Sequence, residues 1–132
     1  MSDKINSFKE LIVWQKADEM VHIIFDCTDS FSKEYIYDLT SQLRRAALSI
    51  PTNIAEGCAS VHSKEFINFL GISRRSLSET YYLLIFAYKR KLIDENMFKR
   101  LEMYIEEISK MINGLIKSIR NKLNTRHLTL DT

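Results

Sequence analysis

Two pairs of residues have types and spacings that could do chemistry. Glu19 and His22 form a Glu-x-x-His pair, the unit that di-metal bundles place on each of two helices, with a further Glu from each of the other two. No second pair exists, because Ala59 precedes His62 at that offset and Asn124 precedes His127. An ordinary surface histidine is the better reading, and no metal or other cofactor is expected. Cys58 and His62 are four apart, the offset at which a thiolate and an imidazole can meet on one helix face. They straddle a predicted helix end, and no third group stands by to orient the imidazole.

The cations offer a different chemistry. Arg44-Arg45, Arg74-Arg75, Lys89-Arg90-Lys91 and the run Lys117, Arg120, Lys122, Arg126 are the basic groups, and the last meets no acid until Asp131. Phosphate binding needs several cations on one face and little else. Tyr81, Tyr82 and Tyr88 share a helix with two of these groups, which suits base stacking. The bland reading is that charge pairs on long helices are a solvated face. The chain of 132 residues is nearly neutral, with 19 basic and 17 acidic side chains, but unevenly so. Residues 1–37 carry 4 basic and 7 acidic groups, and residues 61–93 carry 6 and 2.

The elements that position these residues are helices. Three glycines and one proline are too few for a sheet or a loop-rich fold. Apolar steps of three and four predict helices over about 10–29, about 36–57, from Ser63 to about 91, and from Asp94 onward. Ser63 and Asp94 are the expected N-caps, and Gly57 is a candidate C-cap. The fourth helix repeats Phe98, Leu101, Ile105, Ile108, Ile112, Leu115 and Ile119, a bundle or coiled-coil seam. The expectation is one all-α domain over residues 1–132, an antiparallel up-down-up-down four-helix bundle with an ordered core over about 8–123 and a frayed C-terminal tail. Val13, Met20, Leu48, Ile72 and Met97, among others, add apolar surface beside the main stripes, as in an oligomer interface or a wide core stripe. Cys27 and Cys58 read as free thiols of a reducing compartment. With neither a signal core nor a membrane-length apolar run, the expectation is a cytoplasmic protein with no membrane partner.

One stretch breaks local rules. Gln42-Leu-Arg-Arg-Ala-Ala-Leu-Ser-Ile-Pro-Thr-Asn-Ile-Ala-Glu-Gly57 puts Pro51 inside the second helix, where proline removes a hydrogen bond and clashes with the carbonyl four residues back, at a cost of roughly 3 kcal/mol. A kink there is expected, with Arg45, Asn53 and Glu56 as a structural polar cluster that satisfies the freed groups.

This stretch closely resembles the signature of the four-helix-bundle proteins encoded by intervening sequences of bacterial 23S rRNA genes, also called S23 ribosomal proteins. The resemblance extends to Phe8-x-x-Leu-x-Val-Trp-Gln-Lys-Ala17, Lys64-Glu-Phe-Ile-x-Phe-Leu70 and Ser76-Leu-x-Glu79, and covers about residues 8–119. It implies a four-helix subunit that assembles into a ring-shaped homo-oligomer, usually a pentamer, without enzymatic activity and with proposed RNA or nucleic-acid binding. It also implies similarity to the accessory variability protein of diversity-generating retroelements, a pentameric bundle. Many relatives carry a basic residue soon after the Glu-Gly, where this chain has Cys58-Ala-Ser60; many carry Gly before the Ser-Leu, where it has Arg75. A further, shorter resemblance joins Arg120 and His127, six residues between them, to the Arg-x(4–6)-His signature of the HEPN ribonucleases.

The resulting expectation is a non-enzymatic homo-oligomer, pentameric by resemblance, that binds RNA or a nucleoprotein. Arg44, Arg74, Arg75, Lys89, Arg90, Lys91, Lys117, Arg120, Lys122 and Arg126 would supply phosphate contacts. The rivals are a scaffold for a protein partner without nucleic acid and, more weakly, a HEPN-like ribonuclease.

Overall fold

A computed structural model of the chain describes residues 7–131, with side chains to residue 125. Among the described residues there are four α-helices and no strand: α1 (Ile12–Thr28), α2 (Ser41–Cys58), α3 (Ser63–Lys89) and α4 (Glu95–Asp131). A single 3-10 turn, Ser7–Glu10, precedes α1.

One core joins all four helices. Met20 and Ile24 of α1, Leu43, Ile50 and Ile54 of α2, Leu70 and Leu84 of α3, and Leu101, Ile108 and Ile112 of α4 are fully buried together. Contacts between neighbours descend one helix as they climb the other. Between α2 and α3 these are Gln42 with Glu79, Ser49 with Ser76, and Ile50 with Ser73. Between α3 and α4 they are Arg74 with Asn113, Tyr81 with Glu102, and Tyr88 stacked on Phe98. Between α1 and α4 they are Lys16 with Glu107 and Tyr104 with Glu19.

Several predicted boundaries differ from the observed ones. Residues 36–40 are not the first turn of α2 but a π turn, Ile36–Thr40, behind a 3-10 turn at Lys33–Tyr35. The Asp38 carboxylate accepts the Leu39 N–H, and such local side-chain bonds compete with regular helix. The wider turn keeps both Leu39 and Thr40 buried. The Thr40 hydroxyl finds no partner there. Gly57 does not cap α2; it lies inside the helix, which ends on Ala59 in αR conformation. A Cβ on Gly57 would stand 2.7 Å from Phe66 Cδ1 and 3.1 Å from Phe69 Cβ, so close packing by α3 selects glycine. Ser63 is the first residue of α3, with His62 at the N-cap position and no side-chain cap. Asp94 does cap α4, accepting the Met97 N–H at 2.8 Å. Lys91 takes the left-handed conformation, φ 63°, while Leu92 N–H donates to the Ala87 carbonyl at 2.9 Å, the Schellman closure usually built on glycine.

Around Pro51 the polar groups are served from both helices. Proline offers no N–H to the Ala47 carbonyl. The carbonyls that follow each accept a side-chain donor at 2.8 Å: Leu48 from Thr52 Oγ1, Ser49 from Asn53 Nδ2, and Ile50 from the buried Ser73 Oγ.

Candidate nucleic-acid interface

The pairs that could do chemistry are separated by their surroundings. Glu19 accepts a hydrogen bond from Tyr104 at 3.1 Å, while His22 turns to Asp18 at 3.4 Å. Among the described residues no three His, Cys, Asp or Glu side chains are grouped to hold a metal ion. Burial, with a smaller push from Asp26, raises the Cys27 thiol to about 11, and burial raises Cys58 as well. Neither carries the thiolate a nucleophile needs near neutral pH. The side chains of Arg126 and His127 lie outside the described residues.

The structure sorts the cations into different tasks. Arg44 is a latch between helices. Its Nε donates to Thr28 Oγ1 at 2.8 Å, its Nη2 donates to the Phe25 carbonyl at 3.0 Å and to Asp29 Oδ1 at 2.8 Å, and its guanidinium lies 4.7 Å from the Phe25 ring centre. A cation at the carbonyl end of α1 is favoured by the helix dipole. With its donors turned onto α1, Arg44 is built into the fold rather than offered to phosphate.

The expected cluster of Arg45, Asn53 and Glu56 does not form. Asn53 bonds to Ser49, through its carbonyl and hydroxyl, and Ser49 Oγ accepts from Ser76 Oγ at 2.9 Å. Arg45 and Glu56 are exposed, and eleven residues of helix separate them by about 16 Å. The side-chain bonds around Pro51 come from Thr52 and Asn53 within α2 and from Ser73 on the neighbouring helix.

Arg74, Lys117 and Arg120 come together along the groove between α3 and α4, whereas Arg75, about 100° further round α3, shares the stripe of Glu79 and Tyr82 on the α2 side. Arg74 Nη1 donates to Asn113 Oδ1 at 3.1 Å. Lys117 and Arg120 follow Asn113 by four and seven residues, on the same side of α4, about 6 and 10 Å further along. Lys110, three residues before Asn113, extends the row towards Ser78, with which it lines a hollow of about 340 Å³. The four groove cations, Arg74, Lys110, Lys117 and Arg120, are exposed, and none makes an ion pair among the described residues. The facing segments contain no acid, from residue 66 to 78 on α3 and from 108 to 125 on α4. The groove turns acidic from Lys110 on, where Glu106 lines the same hollow and, further along, Tyr81 donates to Glu102, a bond that raises the tyrosine's pKa.

Two glycines sit on this surface. A Cβ on Gly71 or Gly114 would meet nothing within 4 Å. Each costs up to about 1 kcal/mol of helix propensity against alanine, and internal packing does not explain either. Lys122 lies elsewhere on α4, lining a hollow with Ser118, Asn121 and Thr125. Lys89, Arg90 and Lys91 sit at the other end of α3, about 22 Å from Arg74. Sequence reading passed over Lys110, although its offset of seven from Lys117 places both on one stripe.

Among the described residues, four helices around one apolar core, with a row of exposed cations along the α3–α4 groove, define an all-α protein. Residues 9–114 match the family model described as 23S rRNA-intervening sequence protein, and the chain belongs to that family. Its fold is similar to a crystal structure of a protein of unknown function from the S23 ribosomal protein family of Bacteroides thetaiotaomicron, with a TM-score of 0.72 and 25% identity over 86% of this chain and 98% of that one. Among curated proteins none matches. Lys117 and Arg120 lie beyond the matched residues.

Proposed function

We propose that the protein is a non-enzymatic, cytoplasmic homo-oligomer that binds RNA through the α3–α4 groove. The subunit is an up-down-up-down bundle, the reading favoured by contacts that descend one helix as they climb the next, with α2 bent at Pro51. By resemblance the assembly is a ring of five. A ring would repeat each weak basic groove once per subunit, and linked weak sites gain avidity without new contacts. The family description, which refers to a 23S rRNA intervening sequence, agrees with an RNA ligand.

One observation carries the proposal: two acid-free segments lie side by side and present four cations without ion pairs. In a structural role such cations would have been matched by acids, as Lys99 is by Glu95 at 3.1 Å. Titration of the purified protein with labelled single-stranded RNA at two salt concentrations tests it. Each phosphate contact adds roughly 0.7 to the slope of log affinity against log salt. The variant Arg74→Gln/Lys117→Gln should bind more weakly and flatten that slope by about 1.4. Binding indifferent to salt and to both substitutions would replace this reading with a scaffold for a protein partner. Cleavage of the RNA, abolished by His127→Ala, would replace it with a ribonuclease.

A further inference from the structure

Exposed apolar residues gather on the side of the protein away from the basic groove. Of eight exposed large hydrophobic side chains among the described residues, five are Ile36, Tyr37, Leu48, Tyr82 and Phe86. They border three shallow hollows of about 430, 440 and 280 Å³ that share walls along α2: Ser41 and Arg45 join the first two, Asp38 and Gln42 the last two. Tyr37 is 94% exposed and Tyr82 61%. Contiguous apolar surface of this kind marks an interaction site.

The charges on this face identify the partner. Arg45 makes no ion pair among the described residues, and neither does Asp38, whose carboxylate accepts only the neighbouring Leu39 N–H. The two are seven residues apart and line one hollow, yet do not pair within the chain. In residue number they lie equally far from the midpoint between Ser41 and Gln42, one on each side. So do Tyr35 and Leu48. A two-fold contact sets residue i against j and j against i, which is the condition this spacing meets. A nucleic acid or a strongly charged protein would call for one sign of charge here, whereas this face holds both and complements itself.

We infer that the α2 face pairs with the same face of a second copy. The two α2 helices run antiparallel about a two-fold axis at Ser41–Gln42. Asp38 of each copy meets Arg45 of the other, and Leu48 of each meets Tyr35 of the other. The bonds from Gln42 to Glu79 and from Ser76 to Ser49 fix the register of α3 on α2. Continued by one turn, that register brings Tyr82 level with the axis, against its own counterpart. The pairing rests on the self-assembly proposed above and adds to it a contact that yields an even number of copies, whether two alone or two rings back to back.

Light scattering on the eluting full-length protein tests the pairing. The wild type should have a mass that is an even multiple of 15.5 kDa. Asp38→Arg and Arg45→Asp should each halve that mass, since like charges then face each other. The double variant Asp38→Arg/Arg45→Asp should restore it. Leu48→Lys, at an exposed position outside the core, should halve it too, with an unchanged far-ultraviolet circular dichroism spectrum. An odd multiple that none of these variants alters would overturn the pairing and leave the ring standing. A monomeric wild type would overturn both. Single variants that halve the mass without rescue by the double would overturn the Asp38–Arg45 match.

Discussion

The Ser73 hydroxyl donates to the Ile50 carbonyl at 2.8 Å, one residue before Pro51, with Ser73 fully buried. A buried hydroxyl must be paired, and this pair ties α3 to α2 beside the proline. Ser73→Ala should therefore cost about 1–2 kcal/mol, read as a lowered midpoint in urea. Pro51→Ala gives the Ala47 carbonyl its donor back and should raise that midpoint. If Pro51→Ala also left the molecular mass in solution unchanged, Pro51 would have no role in shaping the proposed assembly.

The helices were legible in the sequence because their signals are local. Apolar steps of three and four gave all four within a few residues, and Asp94 announced its cap. What the sequence hid depends on neighbours distant along the chain. Asn53 was expected to meet Arg45 and Glu56, yet its network runs through Ser49 to Ser76, on the next helix. Arg44 reads as a surface cation until α1 is seen to end against it. Gly57 looks like a cap because the ring that excludes its side chain belongs to Phe66, nine residues on. The groove was half legible: Arg74, Lys117 and Arg120 were among the candidates, but grouping them with Lys110 and apart from Arg75 and Lys89–Lys91 required the register between α3 and α4.

The three glycines should respond in opposite directions. At Gly71 and Gly114 a methyl group meets open space, so alanine should stabilise each helix by up to about 1 kcal/mol. At Gly57 the same propensity gain is opposed by a ring carbon 2.7 Å from the new Cβ. Overpacking costs typically about 1–3 kcal/mol, so Gly57→Ala should give a net loss. Thermal melts of the three variants would show two upward shifts and one downward.

Cys27 should titrate late. Its thiol is raised from 9.0 to about 11, by burial first and Asp26 second, with Arg44 opposing. In the unfolded chain the proton leaves at the ordinary value, so the unfolded state sheds it first as pH rises. The contribution to stability is then whole below pH 9 and is lost as pH climbs to about 11. Cys27→Ala should flatten this part of the stability–pH curve. Alkylation of Cys27 at pH 8 should be slow in the folded protein and fast in denaturant, as followed by mass spectrometry.

Arg44 separates a structural cation from a binding one. Its bonds to Thr28 and to the Phe25 carbonyl are made by a charged donor at a half-buried site, and such bonds contribute about 1.5–3 kcal/mol each net of the water they replace. Its ion pair with Asp29 is largely exposed on the carboxylate side and should add under about 1 kcal/mol. Arg44→Ala should thus destabilise the protein by about 2 kcal/mol or more, and Asp29→Asn by much less. Arg44→Lys should recover only part of the loss, because a single ammonium cannot reach Thr28, the Phe25 carbonyl and Asp29 with the planar fork that the guanidinium provides. The affinity of the folded variant for RNA, and its salt slope, should stay at the wild-type value, since the groove lies between α3 and α4. A loss of affinity in Arg44→Ala equal to that in Arg74→Gln/Lys117→Gln, measured well below its melting temperature, would return Arg44 to the phosphate-binding set.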